Sequence, residues 1–125
     1  MNKELVWARV FALVVALVII AGSSVPGNNI PSVFKFTPDK LIHCLEYAVL
    51  GVFIFRWIRL ELDASPMTKV RVTAFLLGSF MGIIDENYQR LIPGRQSDFW
   101  DWVLDSVGVV IAIVVMSFFT HRNQK

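Results

Sequence analysis

DENYQRLIPGRQSDFWDWVLDSVG, residues Asp85 to Gly108, lies between two long apolar runs. It carries five acids, Asp85, Glu86, Asp98, Asp101 and Asp105, around a turn at Pro93, Gly94 and Arg95. Moving a carboxylate out of water costs several kcal/mol even after relaxation. Acids held around one turn in so apolar a chain therefore point to a site. The turn itself, with an apolar run on each side, predicts two helices folded back on one another.

The rest of the composition fits that reading. The chain has 125 residues, 55% of them hydrophobic, with a mean hydropathy of +0.58. That is room for one domain, and it is too apolar for a soluble protein of this size. A net charge of +2 makes no case for a nucleic-acid partner. The single cysteine, Cys44, has no partner for an internal disulfide or a thiolate metal pair and reads as a small buried hydrophobe.

Four helices are expected, at residues 5–21, 38–60, 66–92 and 98–120, forming an all-α membrane bundle and a single domain over residues 1–125. In the first, Arg9 sits near one end, where it can snorkel. A cleavable signal peptide competes for this segment, since Lys3 leads an apolar run that ends in Ala21, Gly22, Ser23 and Ser24. Retention as a transmembrane helix is the expected outcome. Residues 22–37 read as irregular loop. Thr37-Pro38 and Ser65-Pro66 are start signals for the second and third helices, and Ser97 is the expected N-cap of the fourth.

Eight cations (Lys3, Arg9, Arg56, Arg59, Lys69, Arg71, Arg122 and Lys125) fall at the termini and second loop. Four (Lys35, Lys40, Arg90 and Arg95) fall at the first and third loops. The positive-inside rule then puts both termini in the cytoplasm and the acidic stretch on the outer side.

Helical spacing places Asp39, His43 and Glu46 on one face, with Tyr47 beside it. Gly78, Gly82, Asp85 and Gln89 share a second, flanked by Glu86, and Asp98, Asp101, Asp105 and Gly108 share a third. Glu46, Asp85 and Asp105 are each expected about 10 Å below the outer helix ends, within one polar pocket. Asp39 and Asp98 also suit the helix dipole. Gly78, Gly82 and Gly108 suit close packing, and Trp57, Trp100 and Trp102 suit interfacial anchoring. His43, Glu46, Asp85, Glu86 and Asp105 remain candidates for chemistry, as an acid/base pair or, for His43, Glu46 and Asp85, as ligands of a divalent metal. Asp39, Lys40, Gln89, Arg95 and Asp101 are candidate ligand contacts, with Arg95 suited to a phosphate. The bland alternative is polar glue between helices.

Asp39-Lys40-x-x-His43-x-x-Glu46-Tyr47, Asp85-Glu86-x-x-Gln89, Pro93-Gly94-Arg95 and Asp98-x-x-Asp101-x-x-x-Asp105-x-x-Gly108 together resemble the VanZ-like family of bacterial membrane proteins. The resemblance covers residues 37–112. It departs at Asp105 and Ala112, where the family pattern commonly has Asn and Gly. It implies a multi-pass protein of the bacterial cytoplasmic membrane and an association with resistance to teicoplanin, a glycopeptide with a lipid tail. It supplies no reaction. Two functions stay open: binding of an amphiphilic ligand at the outer face, and an enzyme, metal-dependent or not, acting on a lipid-linked or cell-wall precursor. Transport is disfavoured, because residues 53–57 and 70–77 offer almost no polar path through the inner half.

Overall fold

The structure, a computed structural model, describes residues 2–32 and 38–122, with only the backbone of Pro38 and Asp39. It contains four long helices: α1 (Lys3–Ser23), α2 (Pro38–Glu61), α3 (Met67–Gln89) and α4 (Phe99–Arg122). Each is long and apolar enough to cross a membrane. At 1.5 Å per residue they extend roughly 31 to 36 Å, matching a hydrocarbon core of about 30 Å.

The exterior is as apolar as a membrane solvent requires. Leu17 is 68% exposed, Val18 64%, Phe118 65% and Val114 63%. In water such surfaces would mark aggregation, and in lipid they need no cover.

Inside, α2 packs against all three other helices, and its most extensive contact is with α4. Tyr47, Leu50, Ile54, Phe55 and Ile58 of α2 meet Val70 and Ala74 of α3 and Val109 and Ile113 of α4. Ala12 and Ile19 bring in α1, which touches α2 and α3 and, among the described residues, not α4. Gly108 sets the α2–α4 distance: a Cβ there would stand 2.2 Å from the Cys44 carbonyl oxygen and 2.9 Å from the Ala48 nitrogen. Main chain rests on main chain at that point.

Several helix ends differ from expectation. α1 starts at Lys3 because Asn2 caps it, its Oδ1 accepting from the Glu4 N–H at 3.0 Å. It continues to Ser23, and a 3₁₀ turn at Gly27–Asn29 follows. α3 starts at Met67 with Pro66 as the preceding residue and no side-chain cap, so Ser65 does not serve as one. α3 also stops at Gln89 rather than Ile92, the chain turning at Arg90 and Leu91. Asp98, not Ser97, caps α4, accepting from the Trp100 N–H at 3.1 Å. The Thr37 cap lies outside the described residues.

The loops at the Pro93 end lock together. The Gly27 N–H donates to the Pro93 carbonyl at 3.0 Å, and Gly94 adopts φ +74°, a conformation that glycine takes without strain. At the opposite end Arg9 of α1 pairs with Glu61 of α2, and Trp57 Nε1 donates to the same carboxylate at 3.0 Å.

Candidate functional site

The polar residues of α2, α3 and α4 converge near the Pro93 end. His43, one turn into α2 beyond Lys40, places Nδ1 3.3 Å from Asp105 Oδ1 of α4. Gly82 of α3 faces the same carboxylate, so α3 approaches closely enough to bring in its acids. His43, Glu86 and Asp105 are buried, and each offers a donor atom within 4.8 Å of the other two. Asp85 and Asp105 are wholly buried, and Glu86 is 5% exposed.

Hydrogen bonding satisfies only part of this group. Ser97 Oγ donates to Glu86 Oε2 at 2.8 Å, and Gln89 Nε2 donates to Asp85 Oδ2 at 3.2 Å. Glu86 Oε1, Asp85 Oδ1, Asp105 Oδ2 and the Tyr47 hydroxyl oxygen are buried with no hydrogen-bond partner among the described residues. Orphaned groups of this kind are rare in native interiors and call for a cause. Tyr47 lies within electrostatic range of Asp85, Asp105, Glu86 and Glu46, which shows how tightly the charges are gathered.

The expected metal donors were His43, Glu46 and Asp85, and the structure regroups them. Glu86 and Asp105 join His43, while Glu46 is half-buried at the margin and Asp85 is held by Gln89. Equal depth from the helix ends does not fix rotation, and in the packed bundle Glu86 is the α3 acid grouped with His43.

The expected ligand contacts divide. Lys40 stands 3.7 Å from Asp98 and 3.9 Å from Asp101, making a charged rim above the cluster. Gln89 is a buried brace: besides Asp85 it donates to Ser23 Oγ of α1 at 3.2 Å. Arg95 turns toward α1, where Nε donates to the Val25 carbonyl at 3.0 Å and Nη2 to the Gly22 carbonyl at 2.8 Å. It thereby satisfies carbonyls at the α1 C-terminus, and the phosphate role expected of it has no support in this arrangement. The Asp39 side chain lies outside the described residues.

Two polar links escaped the sequence reading. Trp102 Nε1 donates to the Ser79 carbonyl at 3.1 Å, tying α4 to α3. Ser24, just past the end of α1, shares a 2.8 Å hydrogen bond with the Tyr88 hydroxyl. Both contacts join residues distant in sequence, which spacing within one helix does not pair.

A cavity of about 200 Å³ opens beside the cluster, lined by Glu86, Asn87, Arg90, Ser97, Asp98 and Phe99, with Ile83 and Trp102 at its base. Those last two residues also border an apolar groove of about 730 Å³ along α3, with Phe75, Leu76 and Phe80. A cavity with polar and charged side chains in its lining thus adjoins an apolar groove along α3.

No curated protein and no solved structure matches the chain. A family model does match, over residues 8–120, a span that holds all of α2 and α3, nearly all of α4, most of α1 and the whole polar cluster. The chain belongs to the VanZ/LLP1 family.

Proposed function

We propose that this protein binds an amphiphile at the outer face of the bacterial cytoplasmic membrane, the polar head entering the Glu86 chamber and the apolar tail lying along α3. The observation that carries the reading is the junction at Ile83 and Trp102, where the cavity beside Glu86 meets the apolar groove. Small-ligand sites are mostly apolar with a few placed polar groups, and this pair of spaces divides those properties between head and tail. Carboxylates and amides at the chamber suit a hydroxyl-rich or cationic head. The VanZ resemblance makes a lipoglycopeptide such as teicoplanin the first candidate.

The test is binding to the full chain in lipid nanodiscs, with teicoplanin compared against its counterpart lacking the lipid tail. The tailed compound should bind, and Ile83→Trp, which fills the junction from the lipid side, should weaken it at least about tenfold, the equivalent of 1.4 kcal/mol. Equal affinity for both compounds, or an unaffected Ile83→Trp variant, would refute the reading.

A second reading is favoured by the 3.3 Å approach of His43 to Asp105 beside Glu86. It is an enzyme acting on a lipid-linked or cell-wall precursor, in which these groups move protons or hold a metal. Slow turnover of a lipid-linked precursor by the pure protein, abolished in Glu86→Gln, would favour this reading over simple binding.

A further inference from the structure

We propose that His43, Glu86 and Asp105 form a binding site for one divalent transition-metal cation of the zinc and manganese class, enclosed between α2, α3 and α4. The inference concerns the site described above but does not require an amphiphile. It starts from the orphaned oxygens. Glu86 Oε1 and Asp105 Oδ2 are buried and have no hydrogen-bond donor among the described residues. Both belong to the one group of His, Cys, Asp and Glu side chains, among the described residues, whose donor atoms converge.

Geometry and charge agree. Two donors each about 2.1 Å from a shared tetrahedral metal stand about 3.4 Å apart, and His43 Nδ1 lies 3.3 Å from Asp105 Oδ1. Glu86 already has an oxygen within 4.8 Å of both partners. Two carboxylates with a neutral imidazole offset one divalent charge, which removes much of the penalty for burying these two acids in an apolar bundle. One nitrogen and two oxygens, with a coordination position left over, match open zinc sites and also serve manganese.

The surroundings complete the site. Ser97 Oγ holds Glu86 Oε2 at 2.8 Å while Oε1 stays buried without a donor among the described residues, and a hydrogen bond of this outer kind orients a metal ligand. Glu86 also lines the open cavity at the Pro93 end, which supplies an entry path.

The experiment uses the full chain in nanodiscs, purified without a polyhistidine tag and stripped with chelator. Calorimetric titration with Zn²⁺ alone should show saturable uptake of one ion per chain. Asp105→Asn and His43→Gln, both close in shape to the originals, should each weaken binding by at least about 100-fold, since loss of even an outer-shell partner costs 10- to 100-fold. Asp63→Asn, at the far end of the bundle, should bind as the wild type does. In a His121→Ala background His43 is the sole histidine, and pulsed electron paramagnetic resonance of the Mn²⁺-loaded protein should show coupling to an imidazole nitrogen. This last measurement needs no substitution in the cluster, so it decides the matter even where a cluster variant fails to fold. Absence of saturable uptake, undiminished affinity in folded Asp105→Asn and His43→Gln, or bound Mn²⁺ without nitrogen coupling would overturn the proposal. Since no amphiphile is present, these outcomes leave the lipoglycopeptide test above to stand or fall separately.

Discussion

Replacing Gly108 with alanine tests the packing that brings the site together. The added Cβ would lie 2.2 Å from the Cys44 carbonyl oxygen, where ordinary contact begins at 3.4 Å, and 2.9 Å from the Ala48 nitrogen. Both obstructing atoms are helix backbone, so no side chain can rotate out of the way. The α2–α4 seam must open by more than an ångström. Overpacking a tight interior typically costs about 1–3 kcal/mol, and the rigid backbone on both sides places this case at the upper end. Alanine's better helix propensity returns up to about 1 kcal/mol, leaving a net loss of about 2 kcal/mol. Gly22→Ala is the internal control: nothing lies within 4 Å of its new Cβ, so it should be neutral or stabilising. The assay is reversible unfolding in mixed micelles, with the change in midpoint converted through a common slope. Wild-type stability in Gly108→Ala would refute the close α2–α4 approach, and with it the placement of His43 beside Asp105.

Other outcomes follow from single contacts. Arg95→Ala removes two charge-assisted hydrogen bonds to the Gly22 and Val25 carbonyls; because the side chain is half-exposed, the loss should be about 1–2 kcal/mol, read by the same unfolding assay. Gln89→Leu strands Ser23 Oγ and Asp85 Oδ2 in the interior and should cost about 1–3 kcal/mol. In a Cys44→Ala background, cysteines at Asn28 and Gln96 should react with a membrane-impermeant thiol reagent on intact cells, and one at Ala64 should not. The reverse pattern would invert the proposed orientation. Gln96 is preferred to Gly94 because Gly94 has φ +74° and packs on Gly27.

Much of this molecule is legible in its sequence because membrane burial needs long apolar runs, and those show directly. The four spans come from that signal, and the turn comes from the Pro93-Gly94 pair that interrupts it. The convergence of His43 with the acids of α3 and α4 also follows from helical spacing. What spacing does not resolve is rotation within a turn. Asp85 and Glu86 are adjacent, and only the packing of α3 against its neighbours decides that Glu86 is the one grouped with His43 and Asp105. Side chains with two good uses are equally ambiguous. Arg95 reads as an anion contact, but the C-terminal carbonyls of α1 lie within its reach and take it. Trp102 reads as an interfacial anchor, but its Nε1 also ties α4 to the Ser79 carbonyl of α3. Such choices depend on partners distant in sequence, which local pattern does not encode.

The central claim is that the buried carboxylates act on a ligand and do more than join helices. Asp105→Asn and Glu86→Gln test it, since each keeps the shape and most of the hydrogen-bonding capacity while removing the charge. As interhelical glue, each group would contribute about 0.6 kcal/mol, the average in membrane proteins, and the exchange would be mild. The measurement is the teicoplanin susceptibility of cells expressing each variant, alongside membrane abundance and thermal stability, with Asp63→Asn as the tolerated control. The account predicts that both amide variants accumulate and fold normally yet lose any protection the wild type gives. Full protection by both at normal abundance would contradict it.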